Sequence, residues 1–130
     1  MGIKKRILIV DDEPDFAEAL GFLLAEHNFS IDWAFSGFEA ESRIERDEFD
    51  YVITDFFMPG LNGYELYALV EKKQKVMPKF IVVSGDVRSI DRSSFHGQLL
   101  SIFPKSTHYK TIVDCLRAED SKSSALRPSG

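Results

Sequence analysis

The chain has little of what extracellular, membrane-bound or nucleic-acid-binding proteins use. Cys115 is its single cysteine, so no intrachain disulfide can form, which fits a reducing compartment. Only four apolar residues separate the basic residues 4–6 from two aspartates, too few for a signal peptide, and no apolar run approaches membrane-spanning length. A net charge of −5 argues against nonspecific binding to nucleic acid or a membrane surface. We therefore expect a cytoplasmic protein.

The composition is that of an ordinary globular protein. Of the 130 residues, 44% are hydrophobic and 28% are charged, which is enough apolar material for one packed core. Residues 120–130 differ from the rest because they are rich in serine and lack an apolar pattern. The sequence thus predicts one domain over residues 1–119, followed by a disordered tail over residues 120–130.

Strand-like and helix-like segments alternate along the chain. Continuous apolar runs, typical of strands covered on both faces, are found at residues 7–10, 51–53 and 80–83, and residues 99–103 form a further strand-like run with Ser101 at its centre. Residues 30–35 instead alternate between apolar and polar, which predicts a strand at the edge of the sheet. Helical spacing follows Pro14, Phe38, Gly63 and Thr107, whereas residues 87–97 are poor helix material and predict a short or labile helix. The alternation predicts a single α/β domain with a parallel sheet and helices on both faces.

Residues with reactive or charged side chains follow four of these runs. Asp11 and Asp12 follow residues 7–10, Asp55 follows residues 51–54, and Ser84 and Lys105 come just after residues 80–83 and 99–103, respectively. Each of these residues taken alone fits an ordinary structural role, such as a helix cap, a turn serine or a surface lysine. Because the carboxyl ends of parallel strands share one edge of a sheet, the residues are expected to meet there. Three carboxylates and one ammonium suit a divalent cation and a phosphoryl group, and Mg²⁺ prefers such oxygen ligands.

Four motifs, in this order and spacing, resemble those of one family. They are Ile-Val-Asp-Asp-Glu-Pro at 9–14, Asp-Phe-Phe-Met-Pro-Gly-Leu-Asn-Gly at 55–63, Val-Val-Ser-Gly at 82–85, and Lys105. The chain resembles the receiver domain of a response regulator in two-component signalling. The resemblance implies a flavodoxin-like, doubly wound fold with five parallel strands in the order 2-1-3-4-5. It also implies a regulatory domain that is not an enzyme in the ordinary sense, although it promotes its own phosphotransfer and dephosphorylation.

The resemblance assigns a role to each site residue. Asp55 would accept the phosphoryl group, and Ser84 and Lys105 would contact it. Asp11 and Asp12 would hold Mg²⁺, together with the Asp55 carboxylate and the backbone carbonyl of Phe57. The implied donor is the phosphohistidine of a sensor histidine kinase or a phosphotransfer protein. The implied recipient of the signal is a downstream protein or the rest of a larger parent chain, and a homodimer is also compatible with the family.

Three positions depart from the family pattern. Lys105 is followed by Ser106 where proline is usual, Ile102 stands where a switching aromatic residue is common, and Phe57 is unusually large. The first two support an alternative, in which a degenerate receiver acts as a protein-interaction module without phosphorylation. A phosphatase with an aspartyl nucleophile is disfavoured, because its second acidic residue would fall at Phe57.

Overall fold

The computed structural model describes the backbone of residues 4–126 and the side chains of residues 4–122. Five strands form the main sheet: β1 (Lys5–Val10), β2 (Phe29–Ala34), β3 (Tyr51–Asp55), β6 (Lys79–Ser84) and β7 (Leu99–Pro104). Two short strands, β4 (Phe57–Met58) and β5 (Leu61–Asn62), form a separate antiparallel ribbon. The helices are α1 (Pro14–Glu26), α2 (Gly37–Arg46), α3 (Gly63–Lys73) and α4 (Tyr109–Leu126).

The main sheet is parallel throughout, and its order is β2-β1-β3-β6-β7. Numbered without the β4–β5 ribbon, this is the predicted order 2-1-3-4-5. Strand β2 lies at one edge, as the alternation of residues 30–35 predicted, and β7 lies at the other. The continuous apolar runs of β1, β3 and β6 fill the middle of the sheet, where both faces are covered. The expected fold class is therefore confirmed.

Helices cover both faces of the sheet, and each face has its own core layer. On one face, α1 and α4 pack on the sheet through the buried side chains of Leu20, Leu24, Ile112 and Leu116. On the opposite face, α2 and α3 pack through Ile44, Leu66, Tyr67 and Val70. Alternate residues of each strand enter opposite layers, because successive side chains of a strand point to opposite faces.

Helix α4 extends beyond the predicted domain end at residue 119. It runs to Leu126, and the hydroxyl of Tyr51 in β3 donates a hydrogen bond to Asp120 at 3.4 Å. A helix already nucleated on a core propagates readily, and no glycine or proline interrupts it before Pro128. The polar composition of this segment was therefore a poor guide to its backbone. The rest of the predicted tail, residues 127–130, lies outside the described residues.

The segment of residues 87–97 contains two short 3₁₀ helices, Val87–Ser89 and Arg92–Phe95. Asp86 caps the first by accepting the backbone N–H of Arg88, and Asp91 caps the second by accepting that of Ser93. His96 and Gly97 then adopt positive φ angles of 47° and 81°, which ends the helical turn. A short helix was predicted here, and the capping aspartates favour brief turns over a longer helix.

None of the helices within residues 4–126 combines the length and the hydrophobicity needed to cross a lipid bilayer.

Candidate functional site

Strand ends place the predicted site residues at one edge of the sheet. Asp11 follows β1, Asp55 and Ser84 are the last residues of β3 and β6, and Lys105 follows β7. Backbone hydrogen bonds fix these positions to the neighbouring strands. The Asp11 N–H donates to the Ala34 carbonyl at 3.1 Å, and the Lys105 N–H donates to the Ser84 carbonyl at 2.9 Å. The sheet therefore sets the positions of the site residues.

Lys105 joins the acidic residues into one cluster. Its Nζ lies 2.7 Å from Asp11 Oδ2, 3.1 Å from Asp55 Oδ2 and 3.3 Å from Glu13 Oε1. Asp11 and Asp55 are buried, whereas the Glu13 side chain is 65% exposed. Glu13 was not among the predicted site residues. The available signal was its place in the acidic run of residues 11–13, where the Glu13 N–H donates to Asp11 Oδ1 just before α1 begins.

Burial and the lysine act on the carboxylates in opposite directions. Burial raises the pKa of Asp11 and of Asp55, and the hydrogen bonds from Lys105 reduce that rise without cancelling it. For Lys105, burial alone would lower the pKa, but hydrogen bonds and attraction from Asp11 and Asp55 outweigh it and raise the pKa. Lys105 therefore favours its positively charged form. Its single charge does not fully neutralise the two buried carboxylates of Asp11 and Asp55.

The same edge has the oxygen atoms that a hard cation requires. Asp11, Asp12, Glu13 and Asp55 can each offer one carboxylate oxygen, and these atoms lie within 4.8 Å of one another. Asp12 and Glu13 are exposed, so their side chains can adjust around an ion. An all-oxygen donor set of this kind fits Mg²⁺ or Ca²⁺. The side chain of Phe57 is 57% exposed, and the role of its carbonyl stays a prediction.

Ser84 is fully buried, and its hydroxyl is engaged in a local turn. Its Oγ accepts the N–H of Asp86 at 3.1 Å and donates to the Asp86 carbonyl at 3.3 Å. Among the described residues, its side-chain hydrogen bonds all go to Asp86. The structure thus places Ser84 at the predicted edge of the sheet, but it does not join the serine hydroxyl to the Lys105 cluster.

The loop after Asp55 is shaped by the β4–β5 ribbon. Gly60 turns the chain with a φ of +77°, and the Asn62 side chain and Glu65 form a reciprocal capping box that starts α3. Gly63 lies so close to Phe56 that a Cβ there would be 2.7 Å from the Phe56 ring. The ring of Phe56, next to Asp55 in sequence, is thereby held against the start of α3.

Aromatic side chains connect this loop to residues 87–97. The Phe56 and Tyr64 ring centroids are 4.7 Å apart, and those of Tyr64 and Phe95 are 5.7 Å apart. The Tyr64 hydroxyl also accepts the backbone N–H of Asp91. These contacts form a continuous path of packed side chains from the residue after Asp55 to the 3₁₀ helices.

The unusual residues near Lys105 do not misdirect its side chain. The Thr107 N–H donates to the Pro104 carbonyl at 2.9 Å, so a turn follows β7 directly and directs Lys105 toward Asp11 and Asp55. Ile102 is partly buried and packs against the core layer on the α3 side of the sheet. A proline after the lysine is therefore not needed for the lysine to reach the pocket.

The doubly wound sheet and the acidic, lysine-containing edge define the class of CheY-like α/β domains. A receiver domain protein described as CheY-like, from Methanospirillum hungatei, shares the fold with a TM-score of 0.79 at 20% identity, over 95% of this chain and 99% of that one. The chain belongs to the response regulator receiver domain family, whose family model matches residues 7–114. This is a family of regulatory domains.

Two similar proteins support the family assignment. The chain is 35% identical over 114 residues to the transcriptional regulatory protein GlrR of Escherichia coli K12, a match that covers 85% of this chain and 26% of GlrR. It is 32% identical to the response regulator TrrA of Thermotoga maritima, solved in complex with Mg²⁺ and a beryllium fluoride, with a TM-score of 0.73 over 88% of this chain and 97% of that one. The chain spans only about a quarter to a third of the length of the first curated relatives it matches.

Proposed function

We propose that the chain is a phosphorylation-controlled switch that accepts a phosphoryl group on Asp55 from a phosphohistidine of a sensor kinase or phosphotransfer protein. In this reaction a carboxylate oxygen of Asp55 attacks phosphorus, the P–N bond breaks, and the histidine ring leaves and takes up a proton. The observation that carries the proposal is the Asp11–Lys105–Asp55 cluster at the carboxyl edge of the sheet. The signal then passes to a downstream protein or to another part of a larger parent chain.

The charges of the cluster suit this transfer. Asp11, Asp12, Asp55 and the Phe57 carbonyl would hold Mg²⁺, which supplies neutralisation of the charge that builds up on the phosphoryl oxygens. TrrA, which is 32% identical to this chain, was solved with Mg²⁺ and a beryllium fluoride. Lys105 adds a second positive charge on the same carboxylate. Both cations favour a phosphoryl group at this edge.

Ser84 links the modification to the rest of the molecule. Its hydroxyl has one proton, so it can donate to a phosphoryl oxygen only by giving up its hydrogen bond to the Asp86 carbonyl. Asp86 caps the first 3₁₀ helix, so this exchange would loosen the start of residues 87–97. A change in that segment would alter a surface available to a partner.

The acceptor is tested by intact-mass measurement after incubation with a small phosphodonor and Mg²⁺. Wild type is expected to gain one phosphoryl group, and Asp55→Asn is expected to gain none. Asp114→Asn, a change at an exposed residue on α4, is the matched control and should be phosphorylated like wild type. A full adduct on Asp55→Asn, or no adduct on wild type, would contradict the proposal. The second result would favour the phosphorylation-independent interaction module.

Magnesium is tested by thermal melts in EDTA and in millimolar Mg²⁺. A ligand that binds only the native state adds RT ln(1 + [L]/Kd), which is about 2.7 kcal/mol at roughly 100 times Kd. Mg²⁺ should therefore raise the melting midpoint of wild type by several degrees and that of Asp12→Asn by much less. Asp114→Asn should respond like wild type. Equal responses of wild type and Asp12→Asn would show that Asp12 is not a ligand.

A further inference from the structure

An aromatic ring lies beside the ammonium group of Lys105. Phe16, in the first turn of α1, has its ring centroid 4.9 Å from Lys105 Nζ. The ring is half-buried and packs against Tyr109, the first residue of α4, with 5.4 Å between the centroids. A cation held over an aromatic face is attracted by the negative charge of the ring. Phe16 is thus the apolar side of a cradle whose acidic side is Asp11, Glu13 and Asp55.

The two sides of the cradle respond differently when the site is loaded. Under the proposed function, Mg²⁺ competes with Lys105 for the oxygens of Asp11, and Glu13 belongs to the same group of candidate metal ligands. Phosphorylation converts the Asp55 carboxylate into an acyl phosphate. Mg²⁺ does not compete for the contact with Phe16, because it prefers oxygen ligands and the aromatic ring has none.

A lysine side chain needs such support more than a shorter residue does. Its flexible stem has about 2 kcal/mol of rotamer entropy, so an unsupported ammonium would spend much of its time away from the pocket. The packing of Phe16 on Tyr109 fixes the ring, and the ring fixes the ammonium. The cradle therefore connects the α1–α4 interface to the reacting group.

We propose that Phe16 is a positioning residue that holds Lys105 at the phosphoryl site when Mg²⁺ and a phosphoryl group occupy it. The inference rests on the proposed function, since it concerns the loaded state of the same pocket. It assigns to the first turn of α1 a role in retaining the phosphoryl group, in addition to its packing on α4.

The test measures the affinity of the protein for beryllofluoride at saturating Mg²⁺, and separately the affinity for Mg²⁺ alone. Phe16→Leu keeps apolar volume but removes the ring, so we expect beryllofluoride affinity to fall by about two- to thirtyfold, the equivalent of about 0.5–2 kcal/mol. The affinity for Mg²⁺ alone should stay within about twofold of wild type. Phe16→Tyr keeps the ring and should restore the affinity for beryllofluoride.

Phe22→Leu is the matched control, because Phe22 lies on the same helix but is 60% exposed and packs on Trp33. It should bind beryllofluoride like wild type. If Phe16→Leu proves unfolded by circular dichroism, Phe16→Met takes its place, since methionine is a flexible gap-filler of similar size. Wild-type affinity in the folded Phe16 variant would overturn the inference.

A double-mutant cycle with Lys105→Met separates positioning from packing. If Phe16 acts through the lysine, Phe16→Leu should cause no further loss of beryllofluoride affinity in the Lys105→Met background. An equal loss in both backgrounds, or a Phe16→Tyr variant as weak as Phe16→Leu, would mean that the ring acts only by packing. Asp55→Asn separates a failure of this inference about Phe16 from a failure of the proposed function. If it binds beryllofluoride as tightly as wild type, the proposed function itself fails.

Discussion

Asp11 and Asp55 are both buried and share one lysine, which leaves the pocket with more negative than positive charge. For both residues burial raises the pKa above that of an exposed aspartate. Burying such carboxylates in their charged form lowers the free energy of unfolding. This loss of stability should be measurable when no metal is bound.

In EDTA, Asp55→Asn should raise the free energy of unfolding at neutral pH, by on the order of 1 kcal/mol, the usual size of a single-substitution effect. The raised pKa means that the native state binds more protons than the unfolded state, so stability falls as pH rises through the native pKa. The gain in the free energy of unfolding of Asp55→Asn over wild type should therefore be largest above that pKa. It should disappear below the ordinary aspartate pKa of about 4.

Urea unfolding of the two proteins at several pH values tests this. Asp114→Asn, at an exposed residue paired with Lys110, is the control and should follow wild type. A variant that is less stable than wild type at neutral pH in EDTA would show that the Lys105–Asp55 pair stabilises the fold more than burial of the carboxylate destabilises it.

The sequence predicted four of the residues that the structure brings together at this edge, and it missed others for a physical reason. Asp11, Asp12, Asp55 and Lys105 follow strands, so the rule for parallel sheets was enough to bring them together. Glu13 and Phe16 belong to the start of α1, and the direction of their side chains depends on how α1 packs against α4. Hydrophobic periodicity assigns Phe16 to a core face but does not show which cation lies over its ring.

At the scale of elements, residues 87–97 are held mainly by side chains of α3. Phe95 is fully buried beside Tyr64 and Tyr67, and His96 lies 3.3 Å from Glu71. The backbone of the segment contributes only short 3₁₀ turns with local aspartate caps. The segment should therefore open more easily than the helices around it.

Tyr64→Phe should loosen this segment while keeping the ring contacts. The variant removes the hydroxyl that accepts the Asp91 N–H, so we expect faster hydrogen exchange over residues 87–97 and a loss of about 0.5–1.5 kcal/mol in stability. Tyr109→Phe is the control, because Tyr109 packs on Phe16 away from this segment. Unchanged exchange at the Asp91 amide in Tyr64→Phe would contradict the assignment of that hydrogen bond.

The contact between α1 and β2 depends on a glycine. A Cβ on Gly21 would lie 2.6 Å from the ring of Trp33, whose Nε1 donates to the Ala17 carbonyl of the same helix. Alanine gains about 1 kcal/mol of helix propensity, but a clash with a rigid, hydrogen-bonded ring typically costs 1–3 kcal/mol.

Gly21→Ala should therefore destabilise the protein by up to about 2 kcal/mol, as measured by denaturant unfolding. Gly85→Ala is the matched substitution, since a Cβ there meets no atom within 4 Å. It should be neutral or slightly stabilising. A Gly21→Ala variant more stable than wild type would mean that the ring moves freely.

Most helices and strands could be predicted from the sequence, with two exceptions. Apolar runs located the strands of the main sheet, and their ends agree with the structure to within a few residues. The β4–β5 ribbon was predicted only as a tight loop, because two-residue strands are too short for any periodicity. Residues 120–126 were predicted as part of a disordered tail but belong to α4 in the structure, since a helix can continue on propensity alone after its apolar stripe has ended.

At the scale of the whole molecule, one sheet belongs to both core layers. Leu8 and Val52 enter one layer, while Ile7, Ile9 and Ile53 enter the other. Neither layer can be lost without exposing one face of the same strands. The protein should therefore unfold in a single cooperative transition.

Leu24→Ala tests this coupling. Leu24 is fully buried in the α1–α4 layer, so the substitution should cost about 2–5 kcal/mol. Tryptophan fluorescence, which reports the single tryptophan Trp33, and circular dichroism, which reports all helices, should shift by the same amount. Val76→Ala, at a residue that is 74% exposed, should have little effect. Separate transitions for the two signals would show that the layers unfold independently.

The pocket is fixed by hydrogen bonds that do not depend on side chains. The N–H groups of Asp11, Phe56 and Lys105 donate to the carbonyls of Ala34, Val83 and Ser84 on adjacent strands. Any amino acid except proline can donate such a bond, and any apolar residue of suitable size can fill the strands behind it. Evolution can therefore replace most of the sheet without displacing the clustered Asp11, Asp55 and Lys105. That freedom explains how TrrA, with 32% identity to this chain, keeps the same fold.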